Sequence, residues 1–65
     1  MDLVEEAKIR IDHWIKHNEN HVQEYEAFAQ KLESADKDES ARNIRVMMEL
    51  ISQSNESLKR ALEAL

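Results

Sequence analysis

All three histidines of the chain fall within nine residues, in the stretch HWIKHNENH spanning positions 13 to 21. Neutral imidazole is the commonest protein ligand for metal ions, and histidine is the one side chain whose ordinary charge change lies near neutral pH. His13, His17 and His21 stand at i, i+4 and i+8. At about 100° per residue each step of four drifts only about 40° around a helix axis, so in a helix the three rings share one edge. Adjacent members can chelate one ion from a single turn, for the same reason that the two histidines of a helical H-E-x-x-H motif share a zinc. The outer pair is about 12 Å apart along the axis at about 1.5 Å per residue, so a complete site requires ligands from elsewhere. The chain has no cysteine. Any metal held here must therefore accept imidazole, carboxylate or water.

The elements that carry this row are legible in the apolar spacing. Val4, Ala7, Ile11, Trp14, Tyr25, Phe28 and Leu32 follow alternating steps of three and four, with Asn18 and His21 filling the two seam positions between Trp14 and Tyr25. Ile15, Val22 and Ala29 widen the stripe on one flank. A second series runs through Ala41, Ile44, Met48, Ile51, Asn55, Leu58, Leu62 and Leu65, with Met47 and Ala61 beside it. Both are heptad seams of helices that bury a wide stripe. Between them, Ser34, Asp36 and Asp38 in ESADKDES offer turn and cap chemistry, with Asp38 the candidate N-cap of the second helix.

The expectation is an all-α chain folded as an antiparallel two-helix hairpin, preferred over one uninterrupted helix because caps occur in mid-chain. Helix 1 is expected over about 2–33, the turn over about 34–38 and helix 2 over about 39–65, in one domain. The short loop makes Asn18 and Asn55 level with each other, which reads as register control by a facing asparagine pair. In this register His21 is expected on the seam, His17 on its flank and His13 near the outer surface. A hairpin of 65 residues has a marginal core. A second copy is therefore expected, giving a coiled-coil or four-helix-bundle dimer in which facing histidine rows supply up to six ligands.

Composition narrows the function. Nine basic against fourteen acidic side chains give a net charge of −5, with the signs interspersed, so no phosphate-tracking stripe forms and nucleic acid is excluded. No signal-like N-terminus and no membrane-length apolar run is present, so the expectation is a soluble cytoplasmic protein. There is no glycine-rich phosphate cradle, no cysteine nucleophile and no serine with an evident acid–base partner, so an enzyme is not expected. Met47 and Met48 read as packing. Glu19, Glu24 and Glu56 are candidates to orient the imidazoles.

HWIKHNENH also reads as H-W-x-x-H-x-x-x-H, and it resembles the nickel-binding motif of the CooJ family of nickel chaperones for carbon monoxide dehydrogenase. Members of that family are small cytoplasmic helical coiled-coil homodimers with the nickel site at the dimer interface. The resemblance implies His13, His17 and His21 as nickel ligands, Trp14 as the motif's aromatic, and carbon monoxide dehydrogenase or its maturation proteins as partners. Those chaperones also carry a variable histidine-rich C-terminal tail, which KRALEAL does not match, so the resemblance carries over the interfacial site and leaves nickel storage open. Imidazole ligands suit Ni(II), Cu(II) and Zn(II) alike, and nickel in particular comes from the resemblance. The competing expectation is a metal-free dimeric coiled-coil interaction module.

Overall fold

A computed structural model describes residues 2–65. Helix α1 spans Leu3–Ser34 and helix α2 spans Asp38–Glu63, and the two pack along their length as a hairpin with extents of 51 × 16 × 10 Å. There is no strand among the described residues. The all-α hairpin is thus the observed architecture.

Each boundary has a local cause. Asp2 caps α1, its Oδ1 accepting from the Glu5 amide at 2.9 Å, and Glu5 and Glu6 place negative charge at the positive end of the helix dipole. At the other end the Lys37 amide donates to the Leu32 carbonyl at 2.8 Å and the Asp36 amide to the Glu33 carbonyl at 3.0 Å, the paired bonds of a Schellman ending. This ending needs one residue in the left-handed region, and Asp36 takes it with φ 62°. In a chain without glycine, an aspartate is among the residues that tolerate that conformation best. The reversal brings Lys37 to the N-cap position, without a side-chain bond. Asp38, expected as the cap, is instead the first helical residue, where with Glu39 it still complements the dipole. α2 ends at Glu63, two residues before the chain's last leucine.

On α2 the seam is the expected one: Ala41 and Asn55 are buried and Ile44, Met48, Ile51, Leu58 and Leu62 are half-buried. Leu65, beyond the helix, is exposed. On α1 the expected line holds at Ile11, Asn18, Tyr25 and Leu32 but turns by one residue at its alternate positions. Ile15 and Ala29 are buried, and Ile11, Asn18, Val22, Tyr25 and Leu32 half-buried, whereas Trp14 and Phe28 are exposed at 48% and 55%. Ile15, Val22 and Ala29, which were read as the flank, thus take the places expected for Trp14, His21 and Phe28. Size explains the shift: the helices approach closely where Ala29 and Ala41 are fully covered, and a tryptophan or phenylalanine there would hold them apart.

The centre of the seam is polar. Asn18 Nδ2 donates to Asn55 Oδ1 at 2.8 Å, and Asn55 Nδ2 donates to the Ile15 carbonyl at 3.2 Å. No buried side-chain nitrogen or oxygen among the described residues lacks a partner. The register set by this pair places Ile15 level with Leu58, Val22 with Ile51 and Ala29 with Ile44. One edge of the interface is closed by Arg45, which makes a two-pronged contact with Glu26 at 3.1 and 3.0 Å and a further bond to Glu33 at 2.7 Å. Hydrogen bonds from Arg45 hold the carboxyls of Glu26 and Glu33 below the usual glutamate range, and the same bonds hold the guanidinium above its own.

Replacing Asn55 by alanine removes both bonds and strands the Asn18 amide, at a cost of about 1–3 kcal/mol. Thermal melts should show it as a Tm drop of several degrees, whereas leucine at both positions should recover or exceed the parent Tm while loosening register. Because both carboxyl pKa values are depressed on folding, their contribution is present above the ordinary glutamate pKa, about 4.3, and is lost as pH falls through the depressed values. The stability gap between the parent and Arg45→Met should accordingly narrow between pH 6 and pH 3 in paired denaturant titrations. A gap that stays constant would mean that Arg45 contributes packing alone.

Candidate metal centre

The rotation of α1 that buries Ile15 and Val22 turns the histidine edge away from α2. His13 and His17 are exposed and His21 is half-buried, its side chain 37% accessible. Of the three expected ligands the fold brings two together. Nε2 of His17 lies 2.8 Å from Nε2 of His21, with the rings nearly perpendicular at 89° and their centroids 4.3 Å apart. His13 is separate: its ring lies 6.0 Å from that of His17, stacked at 23°. No group of three or more His, Asp or Glu side chains among the described residues converges on one point.

Two neutral imidazoles at 2.8 Å share one proton, one nitrogen donating and the other accepting. The same spacing is that of neighbouring ligands on an ion. With each nitrogen at about 2.1 Å from a metal, a separation of 2.8 Å subtends nearly a right angle, as adjacent positions of an octahedral or square-planar ion require. A tetrahedral ion would want about 3.4 Å at the same bond length. The distance thus fits both a hydrogen bond between the rings and two adjacent sites on such an ion, and in the metal-free chain it is the hydrogen bond.

His21 has more side-chain partners than its neighbours in the row. Its Nδ1 lies 3.3 Å from Glu24 Oε2, and its ring stacks on Tyr25 at 5.7 Å and 13°. Tyr25 was read only as a seam residue, although its place four residues after His21 is the helical spacing that permits such stacking. Of the other carboxylates considered, Glu56 is paired with Lys59 at 3.6 Å, and helical spacing puts Glu19 on the opposite side of the seam from His21. Met48 is half-buried on the seam and Met47 is exposed beside it, both as packing residues.

The hairpin has two unlike faces. Glu26, Glu33 and Arg45 mark the charged one. Helical spacing puts Trp14, His21 and Phe28 on the other side of the α1 seam, and Met47 on the other side of the α2 seam from Arg45, so these side chains share the second face. Trp14, Phe28 and Met47 are all exposed on it. The His17–His21 pair lies at the edge of this apolar face and halfway along α1, whose midpoint falls between Asn18 and Glu19.

Among the described residues no helix is long and apolar enough to cross a membrane. No curated protein and no solved structure matches the chain. Residues 7–65 match a family described as a domain of unknown function, DUF8180, and this match takes in the histidine row, the turn and the whole of α2. The chain belongs to the DUF8180 domain family.

Proposed function

We propose that this chain is a nickel-binding metallochaperone that carries Ni(II) as cargo for the maturation of carbon monoxide dehydrogenase, acting as a cytoplasmic homodimer with its histidine site at the dimer interface. The observation that carries the metal-binding reading is the 2.8 Å approach of the His17 and His21 Nε2 atoms. The choice of nickel and of the client rests on the likeness of H-W-x-x-H-x-x-x-H to the motif of the CooJ chaperones. His13 is the third ligand on that reading, reached after a change of rotamer or from the partner chain, and Trp14 is the apolar wall beside the site.

Two features support a dimer. The chain exposes 5046 Å², against about 4,300 Å² expected of a compact monomer of this mass, and the only apolar side chains buried among the described residues are Ile15, Ala29 and Ala41. A second copy on the Trp14, Phe28 and Met47 face would cover the excess. Because the histidine pair sits at mid-length, a two-fold axis through the middle of that face brings the pairs of both chains together, and each then completes the other's coordination. Metal binding and association reinforce each other by mass action in such a site. The exposed apolar face on its own also fits the second reading, a metal-free dimeric coiled-coil interaction module.

Titration with Ni(II) against a weak competing chelator separates the two. His17→Ala breaks both one-turn chelates and should cost tenfold or more in affinity, on the order of the loss seen when a metal site's supporting groups are removed. His21→Ala should follow, and His13→Ala should cost least. Parent protein that binds nickel no better than the triple alanine variant would end the chaperone reading and leave the interaction module. For the assembly, light scattering at micromolar concentration should give twice the 7.7 kDa chain mass without metal. A monomer under those conditions would remove the interchain source of ligands.

A further inference from the structure

His21 is the only histidine of the row held on three sides. Glu24 Oε2 is 3.3 Å from its Nδ1, Tyr25 stacks on its ring at 5.7 Å, and the His17 ring meets its Nε2 at 2.8 Å. The Glu24 contact is Coulombic and lacks hydrogen-bond geometry, and a carboxylate this near Nδ1 favours the tautomer with the proton on that nitrogen, which leaves Nε2 as the lone-pair atom. That Nε2 is the atom facing His17. The proton between the two rings then belongs to His17 Nε2, and His21 is ready to ligate before any ion arrives.

We infer that Glu24 is the positioning residue of this site, fixing the His21 tautomer so that its Nε2 faces the shared point between the two rings, with Tyr25 restraining the ring plane. The inference rests on the metal-binding reading for its consequence and on the metal-free geometry for its mechanism. Carboxylates that hold the far nitrogen of a ligating histidine also raise its basicity, and their loss commonly weakens metal binding by 10- to 100-fold. Glu24 is 70% exposed by side chain and makes no other ion pair among the described residues, so it is free to serve this one contact. Arg45 is committed to Glu26 and Glu33 on the opposite face and does not compete for it.

The test joins two measurements on the full chain. Nitrogen-15 shifts of the His21 ring in the metal-free protein report the tautomer directly: the parent should show the proton on Nδ1, and Glu24→Ala should move it toward Nε2 with unchanged helical circular dichroism. Ni(II) titration should show about tenfold weaker binding for Glu24→Ala. Glu24→Gln, which keeps an acceptor oxygen but loses the charge, should fall between. A His21 ring protonated on Nε2 in the parent, or equal nickel affinity in the parent and Glu24→Ala, would overturn the positioning role. Should the parent bind no nickel at all, the metallochaperone reading is what fails, and the tautomer measurement still decides whether Glu24 orients the ring.

Discussion

The position of everything on the histidine edge is set by how α1 is turned about its own axis, and one polar layer fixes that turn. Asn55 reaches across from α2 to the backbone carbonyl of Ile15 while accepting from the Asn18 amide. Those two bonds can form together only if the face of α1 between Ile15 and Asn18 looks at α2. A rotation of one residue would strand a buried amide, a penalty of about 1–3 kcal/mol against a core that holds few fully covered apolar groups. The bonds give no great net stability, since leucines would pack as well. Their contribution is specificity of register and rotation, the attested use of asparagine in a coiled-coil seam.

With α1 so turned, the side chains at 14, 21 and 28 cannot enter the hairpin core. Trp14 and Phe28 become surface groups, and His21 becomes a rim group with one side against the neighbouring tyrosine and the other against His17. The charged face and the apolar face follow from the same rotation. Arg45 meets Glu26 and Glu33 because those glutamates fall on the far side of the seam from Trp14. The other side carries the exposed Trp14 and Phe28 as an apolar strip, bordered near the start of α1 by the Arg10–Glu6 ion pair.

Much of this was legible in the sequence. The two apolar series gave both helices, and the α2 seam was correct from Ala41 to Leu62 because its steps of three and four admit only one line. The level pairing of Asn18 with Asn55 followed from the shortness of the turn. The α1 line was ambiguous because Trp14, His21 and Phe28 and their neighbours Ile15, Val22 and Ala29 are both spaced as seams. Hydrophobic size favoured the first, while the closeness of the helices, which the sequence does not display, selects the second. The turn is tighter than expected, 35–37 instead of about 34–38, because Asp36 accepts a left-handed conformation that composition alone would assign to glycine. At the site, i and i+4 spacing gave the shared edge but not which two rings meet. That depends on rotamers, and Glu24 and Tyr25 act on those of His21 alone.

The incompleteness of the site in one chain has a functional logic of its own on the metallochaperone reading. A carrier must hold an ion against dilution and yet surrender it, and a closed cage of protein ligands on one chain makes release slow. On that reading two imidazoles on an exposed edge would give a chelate with open positions, which another chain, water or an accepting protein would fill in turn. If the second pair of imidazoles comes from a partner copy, affinity is governed by the dimer equilibrium as well as by the ligands, because the ion binds tightly only while both pairs are engaged. An accepting protein that docks on the Trp14 and Phe28 face then competes for the surface that keeps the second pair in place. Loss of two of four nitrogens weakens the hold on the ion at the moment when new ligands stand nearest. Transfer in this scheme needs no motion inside the hairpin, whose register is fixed by Asn55, but only exchange of the surface against which the histidine edge is pressed.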